Sequence, residues 1–257
     1  MHANITDPTG TLAAGMAQSA FKVYEDGVEQ ALTIFRVEEV PVSMGIVIES
    51  SARMRDKRAL IATVEAALME RSSTEDDLFL VHFNDDAYLD QPLTTDKQKI
   101  GTAFGRFDAR GGAAMLNAIS SSIDYAKDKG KQNTKVLLVV TDGDDNNSDG
   151  NLEQLAAKAQ RNGIQIYSIG LLNADEPRES WNAASALKAL AQASGGMDYT
   201  LASSAEADRI ASLVMRVIHN EYVLGYTPKP QSSHAASRGI NVIVNGGQIP
   251  VRFRVDP

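Results

Sequence analysis

Short, almost wholly apolar segments recur along the middle of the chain, and they constrain its fold more than any other feature. They occupy residues 44–48, 78–83, 136–140 and 164–169. Between them, apolar residues recur at the spacing of an amphipathic helix, as at Leu60, Val64 and Leu68. Strands this apolar are buried on both faces, and strands that alternate with helices pair in parallel. The pattern therefore predicts an α/β fold, with a doubly wound, mainly parallel sheet and helices on both faces.

Both ends of the chain change to the two-residue alternation of β-strands. Within residues 20–40, the turn sequence Glu25-Asp26-Gly27 predicts a hairpin, and Asn245-Gly246-Gly247 predicts another near the C-terminus. A lone hairpin is marginally stable, so the two ends are expected to pair into one small β-domain. The predicted organisation is an N-terminal β-part at residues 1–41, an α/β domain at 42–220 and completing C-terminal strands at 221–257.

Composition excludes several partners and chemistries. A net charge of −8 argues against nucleic acid or an anionic membrane surface as a partner. No apolar run is long enough to cross a bilayer, so membrane insertion by this chain is not expected. The absence of cysteine excludes disulfides, thiolate metal ligands and thiol catalysis. Residues 1–4 show neither the basic nor the apolar region of a signal peptide, so none is expected in this chain.

Three polar segments lie where an α/β sheet binds its ligands, beyond the carboxyl ends of the strands. The first strand is followed by Glu49-Ser50-Ser51-Ala52-Arg53, and the third by Thr141-Asp142-Gly143-Asp144-Asp145. A third segment, Gly111-Gly112-Ala113-Ala114, precedes the predicted helix at Met115. Carboxylates and hydroxyls that converge there would suit a hard cation such as magnesium or calcium.

In this order the segments resemble a von Willebrand factor type A domain. The stretches VEEVPVSMGIVIESS, FNDDAYLDQPLTTD, ARGGAAMLNAI, VLLVVTDGDDN and IYSIGLL look like the family of such domains found in exported acidobacterial proteins. The resemblance covers about residues 20–255. It implies a Rossmann-like fold, an adhesive or scaffolding role with a protein partner, and a secreted or periplasmic location. It also implies a metal-ion-dependent adhesion site that takes Asp-x-Ser-x-Ser, a Thr from the Gly-Gly loop and a later Asp.

Position by position, the sequence departs from that motif at three places. Glu49 stands where the leading Asp belongs, Arg53 replaces the second Ser, and Ala113 replaces the Thr. Only Ser51 and Asp142 are unchanged, so a metal, if one bound, would have Ser51, Asp142 and Glu49 as ligands. Magnesium needs near-ideal octahedral oxygen geometry, so these losses predict a degenerate site without a metal cofactor. The predicted ligand-binding face consists of Glu49, Ser51, Arg53, Gly112, Ala113, Asp142 and Asp144.

Arg53 has a physical explanation in this setting. Glu49 and Asp142 would repel each other with no cation between them, and a guanidinium can neutralise both. Arg53 is therefore predicted to replace the charge of the metal. The alternative is that Arg53 points into solvent and both carboxylates stay hydrated.

Other polar residues are interpreted more simply. The Asp-x-Asn-x-Asp-Gly run that begins at Asp145 resembles a calcium loop, but its twelfth position is Ala156 rather than Glu, so a solvated acidic loop is favoured. His82 is predicted to be a satisfied histidine at the edge of the core. The run Asp56-Lys57-Arg58 is predicted to form the exposed first turn of a helix.

Two functions stay open from the sequence. One is a non-catalytic protein-binding or scaffold module with a degenerate adhesion site. The other is a ligand-binding domain that uses magnesium or calcium through a relaxed coordination shell. An enzyme is not expected, because nucleophile-elbow, P-loop and dinucleotide fingerprints are missing from the sequence.

Overall fold

The computed structural model describes residues 2–5, 16–171, 177–201, 203–228, 239–244 and 251–254. The chain divides into two compact units, one made of Met1–Val40 with Arg216–Pro257 and the other of Pro41–Met215.

The described elements are numbered in chain order. The strands are β1 (His2–Ile5), β2 (Phe21–Glu25), β3 (Val28–Gln30), β4 (Leu32–Glu39), β5 (Val42–Glu49), β6 (Asp77–Phe83), β7 (Ala87–Thr94), β8 (Thr134–Thr141), β9 (Ile164–Gly170), β10 (Asp198–Thr200), β11 (Asn220–Tyr226), β12 (Ile240–Val244) and β13 (Val251–Arg254). The α-helices are α1 (Arg58–Arg71), α2 (Lys97–Phe104), α3 (Met115–Lys129), α4 (Leu152–Arg161), α5 (Pro177–Ser194) and α6 (Ser204–His219). Short 3-10 helices span Gln18–Ala20 and Ala52–Lys57.

The larger unit contains a six-stranded sheet in the order β10-β9-β8-β5-β6-β7. All neighbours are parallel except β7, which runs antiparallel to β6 at the edge. Every residue of β5 is buried. Val47 packs in an apolar cluster with residues of α3, α4 and α5, whereas Ile46 is buried on the opposite face. The predicted α/β fold is therefore confirmed, with β5 in the interior of the sheet.

The smaller unit joins the two ends of the chain, as predicted. A four-stranded sheet has the order β13-β1-β11-β4, and a three-stranded sheet has the order β12-β2-β3. Thus β12 lies antiparallel to β2, and β13 lies antiparallel to β1. The inner faces bury Phe21, Val23, Tyr222, Leu224 and Val244 in one apolar cluster.

The predicted hairpins are only partly right. Asp26 and Gly27 have φ values of 49° and 81°, and positive values at both central residues are what a type I′ hairpin turn requires. However, the return strand β3 ends at Gln30, and the chain then enters the other sheet as β4. The predicted pairing of the last two strands is wrong, because β12 and β13 belong to different sheets. The predicted turn at residues 245–247 lies outside the described residues.

Candidate functional site

The end of β5 and the Gly-Gly loop are held side by side by backbone hydrogen bonds. The N–H of Arg110 donates to the carbonyl of Ser50 at 3.0 Å, and the N–H of Ala52 donates to the carbonyl of Gly111 at 3.1 Å. Gly111 has a φ of +70°, and a Cβ there would lie 2.1 Å from a carboxylate oxygen of Asp85. A side chain at position 111 would therefore be strained by this φ and would displace the Asp85 carboxylate.

Glu49 is fully buried, and both of its carboxylate oxygens are occupied. Oε1 accepts from the Ser51 hydroxyl at 2.5 Å, while Oε2 accepts from the Thr141 hydroxyl at 2.6 Å and from the Asp142 N–H at 3.0 Å. Burial raises the pKa of Glu49, and the nearby charge of Asp142 raises it further, against the three hydrogen bonds. The Glu49 side chain thus holds together the ends of two neighbouring parallel strands.

Asp142 is the carboxylate that faces the positive charges. Its side chain is 2% exposed, and its Oδ2 lies 2.9 Å from Nε of Arg53 and 3.7 Å from Nζ of Lys57. Its Oδ1 accepts from the N–H of Asp144 at 3.1 Å. The Lys57 ammonium also donates to the carbonyl of Leu171. Two cationic side chains therefore converge on one buried carboxylate oxygen.

Sequence reasoning missed Lys57. The residue ends the 3-10 helix Ala52–Lys57 and its side chain is only 20% exposed, so the predicted exposed turn of an α-helix is wrong at this position. Arg53 and Lys57 are four residues apart, a spacing that shares a face in an α-helix but not in a 3-10 helix, so the sequence pattern carries no direct signal for the role of Lys57.

The Gly-Gly loop contacts the segment after β8 through its backbone. Ala113 is buried, its N–H donates to Oδ1 of Asn146 at 3.0 Å, and its carbonyl accepts from the N–H of Asn146 at 3.0 Å. The N–H of Gly112 donates to a carboxylate oxygen of Asp85 at 2.8 Å. The side chain of Asn146 also donates to Asp144 at 3.2 Å. The predicted residues of the ligand-binding face are thus linked by direct bonds or by one intervening residue.

Asp145 has a structural role that the sequence did not reveal. Helix α3 has no side-chain cap from its own N-cap residue, Ala114. Instead, one carboxylate oxygen of Asp145 accepts from the N–H of Leu116 at 3.1 Å, and the other accepts from the N–H of Ser148 at 3.2 Å. Asp145 is thus an N-terminal cap supplied to the helix from a distant loop, rather than a fully solvated acidic residue.

His82 is buried at 4% exposure, in keeping with a position at the edge of the core. Its Nδ1 is hydrogen bonded to Asp90 on the neighbouring strand. Its Nε2 has no hydrogen-bond partner within the part of the chain that the structure describes. The histidine is therefore satisfied at one ring nitrogen only.

The side chains at the adhesion-site positions do not fit magnesium as they are arranged. The oxygens of Glu49 accept three hydrogen bonds, and the Ser51 hydroxyl is directed at Glu49. A divalent cation at Oδ2 of Asp142 would meet the positive charges of Arg53 and Lys57. Among the described residues, no group of three or more His, Asp or Glu side chains is placed to hold a metal ion.

The model of the von Willebrand factor type A domain family matches residues 44–214 of the chain. A comparison of the chain with curated protein sequences found no match. Within the described residues, no helix combines the length and apolar character needed to cross a membrane.

Several solved structures share the fold at low sequence identity. A von Willebrand factor type A protein from Catenulispora acidiphila matches with a TM-score of 0.58 and 16% identity, over 79% of this chain and 52% of that one. Proximal thread matrix protein 1 from the mussel byssus, in a structure with a zinc-occupied MIDAS motif, matches with a TM-score of 0.58 and 17% identity, over 76% and 50%. The chain therefore spans about half the length of both structures.

A third solved structure is covered almost completely. It is the vWF domain of the type V pili tip protein Mfa5 from Porphyromonas gingivalis, with a TM-score of 0.53 and 13% identity, over 68% of this chain and 95% of that one. At these identities the likeness concerns the fold.

Proposed function

The chain belongs to the von Willebrand factor type A domain family, and we propose that it is a non-catalytic protein-binding module that works without a divalent metal. The observation that carries this proposal is the convergence of Arg53 and Lys57 on the buried carboxylate of Asp142. The structural relatives support a binding role, since they include a pilus tip protein and a matrix protein of the mussel byssus.

The buried carboxylate of Asp142 needs a compensating positive charge. An ionised carboxylate is expensive to bury without a partner of opposite charge. In an adhesion site that holds magnesium, the ion supplies two positive charges. Here one guanidinium and one ammonium supply the same formal charge to Asp142, and the hydroxyls of Ser51 and Thr141 hold Glu49. In this proposal the adhesion site is degenerate, and its architecture is kept by internal cations.

A metal-dependent site with a relaxed coordination shell is the second candidate. It is favoured by the presence of Ser51 and Asp142, the two residues that match the motif. It also finds support in the mussel relative, whose structure has a zinc-occupied MIDAS motif. For this chain the candidate requires Arg53 and Lys57 to leave Asp142, which adds a cost that the first candidate does not carry.

An extracytoplasmic location, secreted or periplasmic, belongs to the proposal as well. Solved structures of the same fold include an aerotolerance-related membrane protein from Bacteroides fragilis and the PilB minor pilin from Streptococcus sanguinis. The resemblance to exported acidobacterial proteins agrees with that location.

Thermal unfolding with and without divalent metal tests the proposal. The melting temperature in a chelator such as EDTA is expected to equal that in excess magnesium, manganese or calcium, because in this proposal the adhesion site does not bind the ion. A ligand that binds only the folded state at 100 times its Kd adds about 2.7 kcal/mol to the free energy of unfolding. A rise in melting temperature that saturates with one of these metals would therefore overturn the proposal in favour of the second candidate.

A further inference from the structure

Two segments beside the candidate site carry a local excess of positive charge in an acidic protein. Residues 52–58 and 105–112 together contain six arginine and lysine residues against two aspartates, although the chain has a net charge of −8. Two of the six, Arg53 and Lys57, are engaged with Asp142. The other four are exposed, and together they are called the basic patch: Arg55, Arg58, Arg106 and Arg110.

Two contacts join Arg55 and Arg58 of the first segment to the second segment. The Arg55 guanidinium lies 3.4 Å from the carbonyl of Ala109, which joins the first segment to the second. The Arg58 guanidinium lies 5.8 Å from the centre of the Phe107 ring, within the range of a cation–π contact. These contacts restrict the side chains of Arg55 and Arg58, and the charge of Arg58 also acts on the Glu65 carboxylate.

The basic patch has few carboxylate partners of its own. Arg110 pairs with Asp108 at 3.3 Å, in a contact whose two side chains are about 70% and 69% exposed. Arg55, Arg58 and Arg106 form no ion pair with any carboxylate in the described ranges. Arg106 instead donates to the carbonyl of Asp90 at 2.7 Å, which places it beside edge strand β7.

Strand β7 adds apolar contact area next to this charge. Tyr88 is 44% exposed and lies opposite His82, whose ring contacts Phe107 beside Arg58, whereas the next residue, Leu89, faces the other side of the sheet. Arginine and tyrosine are enriched at the energetic centres of protein interfaces. A cationic surface bordered by an exposed tyrosine is therefore suited to a protein partner.

We propose that the basic patch, together with Tyr88, binds an acidic segment of a partner protein. A guanidinium can donate two parallel hydrogen bonds to one carboxylate. A protein segment rich in Asp and Glu supplies such carboxylates. A long polyanion such as nucleic acid would extend beyond the basic patch and would be repelled by the net negative charge of the protein. This inference rests on the proposed protein-binding role and names the chemistry of its partner, but it does not depend on whether the site binds metal.

The test uses a fluorescein-labelled peptide of about ten glutamates and measures its anisotropy as protein is added at low ionic strength. The paired change Arg55→Glu with Arg106→Glu is expected to weaken binding by about tenfold, since one exposed ion pair contributes up to a factor of about five. The matched control is Lys127→Glu with Lys188→Glu, because both lysines are exposed and the net charge changes equally. The control is expected to weaken binding less than twofold. Arg55→Gln with Arg106→Gln supplies the same readout if the reversed pair does not fold.

Three results would overturn the inference. The peptide could fail to bind the unaltered protein, the control could weaken binding as much as the paired change, or an oligonucleotide of equal charge could bind more tightly than the peptide. All variants keep Arg53 and Lys57, so the melting temperature in magnesium is measured on the same samples. If the unaltered protein fails to bind the peptide and its melting temperature does not respond to metal, the partner assignment alone is overturned, whereas a response to metal overturns the proposed metal-free site.

Discussion

Replacing Arg53 by serine removes the closer of the two cations from Asp142. The Asp142 side chain is 2% exposed, and Nε of Arg53 lies 2.9 Å from its Oδ2. Breaking a fully buried pair costs about 3–5 kcal/mol, whereas an exposed pair contributes about 0–1 kcal/mol. Arg53 is 39% exposed and Lys57 remains at 3.7 Å, so an intermediate loss applies. We expect Arg53→Ser to lower the free energy of unfolding by about 1–2 kcal/mol.

Urea denaturation in EDTA measures this loss as a lower midpoint with an unchanged slope. Arg55→Ser is the matched control, because Arg55 is exposed in the same helical segment and, among the described residues, its guanidinium lies 3.4 Å from the carbonyl of Ala109 and pairs with no carboxylate. The control is expected to stay within about 0.5 kcal/mol of the unaltered protein.

A double-mutant cycle isolates the pair. In an Asp142→Asn background the cost of Arg53→Ser should fall to that of the control, since the buried charge is gone. If Arg53→Ser and Arg55→Ser are equally stable, or if the cost persists in the Asp142→Asn background, the pairing does not stabilise the site and the reasoning fails.

Two further predictions concern neighbouring structure. Burial raises the pKa of Glu65 to about 7, while the charge of Arg58 acts in the opposite direction. Because the folded pKa exceeds the unfolded value of 4.5, the contribution of Glu65 to the free energy of unfolding is fully present below about pH 4.5 and is lost as the pH rises to about 7. Between about pH 5 and about pH 8, the urea midpoint should therefore fall more for the unaltered protein than for Glu65→Gln. Equal decreases in the two proteins would contradict the raised pKa of Glu65. Asp145→Ala should cost about 1 kcal/mol through loss of the α3 cap, whereas the exposed Asp149→Ala should be nearly neutral; equal midpoints would show that the cap does not matter.

The fold was predictable because its signals are local. An apolar run such as residues 44–48 is long enough to identify a buried strand, and the change of hydrophobic period marks both ends of the α/β region. Strand β7 was missed, because Asp90, Gln91 and Pro92 interrupt its alternation. At the edge of a sheet such residues are tolerated, since one side of the strand needs no partner.

The candidate site was predictable in its members and less so in its bonds. Strand ends and motif positions identified Glu49, Arg53 and Asp142 from the sequence. The Glu49 contacts depend on the register between β5 and β8, which the sequence does not specify. The capping role of Asp145 depends on a loop that meets a helix about 30 residues earlier in the chain, a distance over which sequence patterns carry no signal.

A calorimetric titration with magnesium shows whether Arg53 and Lys57 take the place of a metal ion at Asp142. The unaltered protein should release no binding heat up to millimolar magnesium, because Arg53 and Lys57 already neutralise Asp142. A variant with Arg53→Ser, Lys57→Met, Ala113→Thr and Glu49→Asp should bind the ion measurably, since it regains the motif's hydroxyls and shorter carboxylate and loses both cations. Magnesium binding by the unaltered protein with a micromolar Kd would contradict the account.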